Sequence, residues 1–155
     1  MKIAILGGGG REHAIAVTIS KSSKIENIYC IPGNAGTLEI ATNIDIDINN
    51  FEALHKFLSE NKVDLVVIGP EQPLVNGIVD YLEKFNIKVF GPNKIASQLE
   101  GSKIFTKKLC EEYNIPTAKF AVLENKLDAK KFLENSKYPN VIKADNLASG
   151  KGVYI

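Results

Sequence analysis

The chain has 155 residues but no tryptophan, one methionine, two histidines and two cysteines, and each scarcity removes a class of chemistry. Cys30 and Cys110 form no CxxC pair and are too few for a disulfide framework, so buried thiols in a reduced, cytoplasmic protein are the expectation. His13 and His55 stand alone, and no Cys/His cluster has metal-ligand spacing. His55 lies on an amphipathic stretch and reads as a surface or boundary residue. No charge sign dominates: 19 Lys and Arg face 18 Asp and Glu, for a net charge of +1. A protein that held nucleic acid by neutralising phosphates would show a basic excess or stripe, so no nucleic-acid partner is expected. No apolar run approaches the roughly 20 residues that span a bilayer, and no membrane partner is expected. The apolar opening Met1–Leu6 stops at glycines, too soon for the core of a signal peptide. Repeats, low-complexity runs and a GxSxG elbow are also missing, and nothing marks a nucleophile.

What is present is ordinary for a globular protein, 45% apolar and 24% charged. A folded chain of this size buries about 68–70% of its unfolded surface. Lys2–Leu6, Asn27–Ile31, Asp64–Ile68 and Lys88–Phe90 read as short strands. Between them run helical stretches: Arg11 to about Ser22, with Ala14, Ile15, Val17 and Ile19 for an inward face, then Phe51, Leu54, Phe57 and Leu58, and last Leu74, Ile78, Leu82 and Phe85. This alternation predicts an α/β fold, a parallel sheet with helices on both faces. Ligands of such sheets bind beyond the carboxyl ends of the strands. Those ends are Gly7–Gly10, Pro32–Gly36 and Gly69–Glu71, and one crevice lined by all three follows.

After Gly91-Pro92 the pattern changes. A boundary between about Phe90 and Gly101 divides the chain into an amino-terminal α/β domain, 1–100, and the beginning of a second domain, 101–155. There Ser102–Tyr113 reads as a helix broken by Asn114-Ile115-Pro116. Ala118–Leu123, Leu127–Leu133 and Val141–Lys143 then read as strand, helix, strand. The chain closes inside a further strand after a glycine loop, so the second domain is expected to be incomplete.

The loop Gly7-Gly8-Gly9-Gly10-Arg11-Glu12-His13 lies between a strand and a helix, where glycines admit a phosphate closely and the helix N-terminus offers N–H groups and a positive dipole end. A dinucleotide fingerprint fails: counted from Gly7 or Gly8, its third glycine falls on Glu12 or His13, and no acidic residue ends the second strand. A phosphate-sized anion fits better than a dinucleotide. A glycine turn serving only strand–helix packing stays open, and so do ligand contact and packing for His13. Glu71, in Gly69-Pro70-Glu71, suits ribose hydroxyls or an amine, or simply favours the next helix N-terminus, with Pro73 in its first turn. Pro32-Gly33-Asn34-Ala35-Gly36 is most simply a turn. The segment Ile142–Gly152 is no Walker A loop, since Asp145 stands at its first glycine and Gly152 follows Lys151. A flap over nucleotide phosphates, with Lys143 and Lys151 as point charges, and an ordinary hairpin with solvated lysines both stay open.

Five strings taken together resemble one family, the phosphoribosylamine–glycine ligases (glycinamide ribonucleotide synthetases) of the ATP-grasp superfamily. They are Gly9-Gly10-Arg11-Glu12-His13-Ala14; Pro32-Gly33-Asn34-Ala35-Gly36; Gly69-Pro70-Glu71 with Pro73-Leu74; Leu99-Glu100-Gly101-Ser102-Lys103 with Phe105-Thr106-Lys107; and Ile142-Lys143-Ala144-Asp145 with Gly150-Lys151-Gly152-Val153. Their order and spacing run the length of the chain. Gly8 stands where the family pattern has a small polar residue, Asn146 where it has glycine and Ser149 where it has alanine. Asn tolerates left-handed backbone angles, so the flap survives that change.

The resemblance implies a Rossmann-like pre-ATP-grasp domain followed by the start of an ATP-grasp α+β domain. It implies an ATP-dependent ligase of de novo purine biosynthesis: glycine's carboxylate attacks the γ-phosphate of ATP, and the amine of 5-phosphoribosylamine displaces phosphate from the glycyl phosphate. ATP, glycine and 5-phosphoribosylamine would be the small-molecule partners. Mg²⁺ or Mn²⁺ would assist, with its ligands outside this chain. By motif position, Lys103, Lys143, Ser149, Gly150, Lys151 and Gly152 would bind ATP, while Gly9, Gly10, Arg11, Asn34, Pro70 and Glu71 would face phosphoribosylamine. Family members run far beyond this length, so the 155-residue piece alone is expected not to turn over. The competing readings are an ATP-grasp ligase with another acceptor acid, a non-catalytic nucleotide-binding domain and a dinucleotide-dependent oxidoreductase.

Overall fold

The computed structural model describes residues 1–148 and 151–155, arranged as two compact units, Met1–Ser97 and Gln98–Ile155. The first unit is built on a five-stranded sheet in the order β3-β2-β1-β4-β5, every pair parallel. The strands are β1 (Lys2–Gly7), β2 (Asn27–Pro32), β3 (Thr42–Asn43), β4 (Leu65–Ile68) and β5 (Val89–Phe90). β1 is central and buried from Ile3 to Gly7, which is why it reads as a continuous apolar run instead of an alternating one. Its register sets Ile5 beside Cys30 on one side and Val67 on the other.

Alternate side chains feed two cores. Ala4, Leu6, Tyr29, Ile31, Val66 and Ile68 pack with Leu54 and Leu58 of α2 (Phe51–Glu60) and with Ile78, Val79 and Leu82 of α4 (Ile78–Glu83). Ile3, Ile5, Ile28, Cys30 and Val67 pack with Ala16 of α1 (Gly10–Ser20). Helices therefore cover both faces. The chain steps outward from β1 to β3 and then returns to β4 across β1, so the loops after β1, β2 and β4 end together at one edge of the sheet.

Several expectations needed correction. Ala14 is exposed and Val17 only half-buried, whereas Glu12 and Ala16 are buried. At 100° per residue Glu12 and Ile19 lie within about 60° of Ala16 on one side and form the inward face with it, while Ala14 points about 160° away. The helix expected around Leu74–Phe85 is two: α3 (Glu71–Asn76) ends and α4 begins at Gly77, whose φ of +96° breaks the run. The two-residue β3 and a 3-10 turn at Thr37–Glu39 were not foreseen, because Thr42-Asn43 carries no apolar pattern.

The second unit contains α5 (Gln98–Gly101), α6 (Lys103–Glu112), α7 (Lys126–Glu134) and an antiparallel pair, β6 (Ile142–Lys143) with β7 (Val153–Tyr154). Ser102 caps α6 by accepting from Phe105 N, and Asn125 caps α7 by accepting from Leu127 N and Asp128 N. Asn114, at φ +54°, follows the end of α6 as expected of the break there. Ala118–Leu123 is not a strand. The described ladder in this unit joins only β6 and β7, and a strand needs a partner for its backbone groups. That segment is instead tacked to α6 by Lys107, whose Nζ donates to Thr117 Oγ1 (2.6 Å) and Ala118 O (2.8 Å) and sits 5.5 Å from the Phe120 ring centroid. Among the described residues, no helix is long and apolar enough to cross a membrane.

Candidate functional site

In the first unit the three strand-end loops are laced together by side chains from the motifs. Glu12, in the first turn of α1, is 4% exposed, and its Oε2 accepts from Gly9 N at 2.6 Å. This is the glutamate half of a capping box, and it satisfies an N–H that the helix itself leaves without a partner. The Glu12 carboxylate lies where side chains of Gly7, Gly9 and Gly69 would be. A Cβ on Gly69 would fall 1.9 Å from Glu12 Oε1, and one on Gly7 would fall 2.7 Å from its Cδ. Gly7 and Gly9 after β1 and Gly69 after β4 are thus glycine because a buried carboxylate occupies the space between them.

Asn34 ties in the loop after β2. Its Nδ2 donates to Gly8 O (3.0 Å) and Gly9 O (3.3 Å), and its Oδ1 accepts from Thr37 N (3.0 Å). Thr37 Oγ1 in turn accepts from Asn34 N at 2.8 Å and stands 2.7 Å from Asn43 Oδ1. Gly33 N donates to Gly7 O (3.3 Å), and a Cβ on Gly8 would meet Gly33 O at 2.6 Å. The glycine at position 8, one of the departures from the family pattern, therefore sits where these two loops touch backbone to backbone. His13 packs under Gly36, its Cε1 2.8 Å from where a Cβ would be, which favours packing over ligand contact for this imidazole.

Arg11 and Glu71 form the exposed rim. Arg11 Nη1 donates to Gly69 O (2.5 Å), and Nη1 and Nη2 both donate to Glu71 Oε1 (3.3 Å each). Their side chains remain 61% and 45% exposed, so the ion pair adds little stability, and both charges stay accessible. Pro70 precedes α3 in extended conformation, and Gly10 opens α1 with no atom within 4 Å of a Cβ built on it. Cys30, beneath this cluster, is inert: burial pushes its thiol up, the Thr37 hydroxyl pulls it back in part, and the Glu12 charge pushes it up again.

In the second unit the chemistry lies around the start of α6 and the β6–β7 pair. Lys143 is exposed on β6, opposite Val153, and Ala144 N donates to Gly152 O at 2.9 Å. Lys103, the first residue of α6, donates from Nζ to Asn146 O (2.8 Å). Asn146 holds φ +67° and Gly152 +72°, so asparagine adopts the left-handed angle its position demands. Asp145 reaches back to α6: its carboxylate accepts from Ser102 Oγ (3.0 and 3.2 Å to its two oxygens) and from Ile104 N (3.3 Å). Burial opposes its ionisation, but hydrogen bonds from Ile104 N, Ser102 Oγ, Asn146 N and Lys103 N outweigh that and hold the carboxyl below the usual carboxylate range. Lys151 N donates to Ala148 O (2.7 Å). Ser149 and Gly150 lie outside the described residues.

Of the motif residues, the structure gathers Gly9, Gly10, Arg11, Asn34, Pro70 and Glu71 at one sheet edge, and Lys103, Lys143, Lys151 and Gly152 around one hairpin and helix start. Sequence reasoning did not single out Glu12, Thr37 or Asp145 as organising residues. Gly9-x-x-Glu12 and Asn34-x-x-Thr37 carried capping spacings that would have exposed the first two. The bonds from Asp145 to residues 102 and 104 span more than forty positions and leave no local signal. Among the described residues, no group of three or more His, Cys, Asp or Glu is arranged to hold a metal ion.

Comparison with known proteins agrees with this layout. Residues 1–100 match the family described as phosphoribosylglycinamide synthetase, N domain, and residues 101–155 match its ATP-grasp (A) domain. A phosphoribosylamine–glycine ligase of Caldanaerobacter subterraneus is 49% identical over all of this chain, which covers 37% of the relative. One from Mesorhizobium japonicum is also 49% identical over the whole chain, 36% of its own length. The crystal structure of phosphoribosylamine–glycine ligase from Thermotoga maritima superposes with a TM-score of 0.78 at 34% identity, over 99% of this chain and 35% of that one. The biotin carboxylase domain of Hydrogenobacter thermophilus 2-oxoglutarate carboxylase, at TM-score 0.79 and 19% identity, shares the fold. The chain spans little more than a third of the length of the curated relatives it matches. With both of its parts matched in order, the chain belongs to the phosphoribosylglycinamide synthetase family.

Proposed function

We propose that this chain supplies the phosphoribosylamine-binding domain, residues 1–100, and the beginning of the ATP-binding domain, residues 101–155, of a ligase that joins glycine to 5-phosphoribosylamine. One observation carries the reading: an exposed Arg11–Glu71 pair stands at the rim of the sheet edge where α1 begins with Gly9 and Gly10. A sugar phosphate has an anionic end and a hydroxyl- and amine-bearing end, and this rim has a partner for each. The phosphate meets the first-turn N–H groups of α1 and the Arg11 guanidinium. Glu71, with Pro70 setting its approach, accepts from ribose hydroxyls or the amine. Asn34 supports the site by fixing the carbonyls of Gly8 and Gly9.

In the reaction, the glycine carboxylate attacks the γ-phosphate of ATP and releases ADP. The amine then attacks the acyl carbon of glycyl phosphate, forming the amide and releasing phosphate. Lys103 and Lys143 supply positive charge to the ATP phosphates, and Ser149, Gly150, Lys151 and Gly152 complete the set of residues assigned to ATP. Positioning and charge suffice for such a transfer, and no covalent nucleophile is required. The described residues do not form a divalent-cation site, and no step is assigned to one.

The test is ADP release by the natural full-length protein with glycine and phosphoribosylamine, each omitted in turn. ADP that requires both substrates supports the ligase. ADP independent of glycine overturns it. The 155-residue chain alone is expected to release none.

A further inference from the structure

Lys103 and Lys143 lie on different elements, forty residues apart in sequence, yet a phosphate clamp requires them at a fixed spacing. Two contacts tie their elements together: Lys103 Nζ donates to Asn146 O (2.8 Å), and the Asp145 carboxylate accepts from Ser102 Oγ (3.0 Å) and Ile104 N (3.3 Å). The first spends one of the lysine's three N–H donors, and a bound phosphate would compete for that ammonium. The second involves neither lysine side chain, so it can persist with nucleotide bound. It also completes the start of α6: Ser102 Oγ caps Phe105 N (3.1 Å) while Asp145 takes Ile104 N, with its negative charge at the positive end of the helix dipole. Asp145 is two residues beyond Lys143, and between them Ala144 N holds the hairpin shut through Gly152 O (2.9 Å).

We propose that Asp145 is a positioning residue for nucleotide binding, whose carboxylate fastens the end of β6 to the first turn of α6 and thereby holds Lys143 in register with Lys103. The inference rests on the reading of these lysines as ATP ligands. It differs from a capping role alone, because a cap stabilises a helix without needing to hold a second element in place.

The experiment uses the natural full-length protein and compares Asp145→Ala, Asp145→Asn, Ser102→Ala and, as a control, Asn125→Ala. Asn125 is also a helix cap in this unit, accepting from Leu127 N and Asp128 N (3.0 Å each), and its described hydrogen bonds all stay within α7. ATP KM, the dissociation constant of ADP, glycine KM and Tm are measured for each. Asp145→Ala should raise ATP KM and the ADP constant by about tenfold, the scale of a lost charge-assisted hydrogen bond, with glycine KM and kcat at saturating ATP nearly unchanged. Asp145→Asn keeps one acceptor for Ile104 N and should fall between Asp145→Ala and wild type. Asn125→Ala should lower Tm and leave ATP KM alone. Asp145 is no positioning residue if Asp145→Ala stays within about twofold of wild type in ATP KM, or if Asn125→Ala raises it equally. Should Asp145→Ala fail to fold, Asp145→Asn and Ser102→Ala decide: a raised ATP KM at normal kcat supports the role, and an unchanged one rejects it. If the wild-type protein binds no nucleotide, the ligase reading falls and this inference with it. If it binds and the variants match it, only the inference falls.

Discussion

The glycines of the first loop look alike in sequence and do different things. At Gly7, Gly8 and Gly69 a Cβ would strike Glu12, Gly33 O or Pro70 within 3 Å, so these positions are glycine for packing. Gly10 has open space around it and sits at the first helical position, where its backbone needs no glycine. Gly10→Ala should therefore leave stability unchanged or raise it by about 0.4–1 kcal/mol, through reduced freedom of the unfolded chain. If Gly10 faces the sugar phosphate, the same methyl group should raise phosphoribosylamine KM several-fold. Urea unfolding and substrate kinetics on one variant separate these effects, and an unchanged KM would reduce the loop to packing alone. Glu12 is the converse case. Glu12→Gln keeps an acceptor for Gly9 N and should cost little. Glu12→Ala leaves that N–H without its partner and a void among three glycines, and should destabilise by about 1–3 kcal/mol in a urea midpoint shift. The glycine string was legible in sequence. That Glu12 explains Gly7 and Gly9 within it was not, because a buried carboxylate is recognised only once the residues around it are placed.

Among the elements, the helix ends carry the most information and were read least evenly. Ser102 before α6 and Asn125 before α7 are of the residue types that cap helices, a signal the sequence reading did not use. Gly77 lies inside the stretch expected to be one helix, and its φ of +96° ends α3 and opens α4. Gly77→Ala should cost about 1–2 kcal/mol of stability, the penalty of a left-handed angle for a residue with a Cβ, and thermal unfolding measures it. The start of α6 has a pH signature. Because the folded carboxyl of Asp145 lies below its ordinary value of 3.8, its contribution is complete above that value and is lost as pH falls through the lowered one. Amide exchange at Ile104 N should stay protected at pH 5 and open on further acidification. In Asp145→Asn that acid step should disappear; a step of equal size in the variant would place the titrating group elsewhere.

For the molecule as a whole, the alternation of apolar runs and amphipathic stretches carried the parallel sheet, since buried parallel strands are apolar on both faces and their connections must be helical. It failed at Ala118–Leu123, where an apolar stretch without a partner strand cannot form a ladder, and nothing in the local pattern says whether a partner exists. The same physics predicts how stability is distributed. Every buried hydrophobic side chain among the described residues lies between Ile3 and Leu82, whereas Leu127, Tyr138, Val141, Ile142 and Tyr154 of the second unit are exposed. α6 and α7 bury no residue at all. Opening free energy follows local burial, so the 155-residue chain should open in its second unit long before its first. Amides of Ile3–Leu6 and Leu65–Ile68 should exchange slowest, and limited proteolysis should cut first in the second unit, after Lys126, leaving a resistant fragment that contains Met1–Ser97. A digest in which both units survive equally would mean that the second unit holds itself together by interactions other than apolar burial. The hydrogen bonds that Asp145 accepts and Lys107 donates would then be the first to remove.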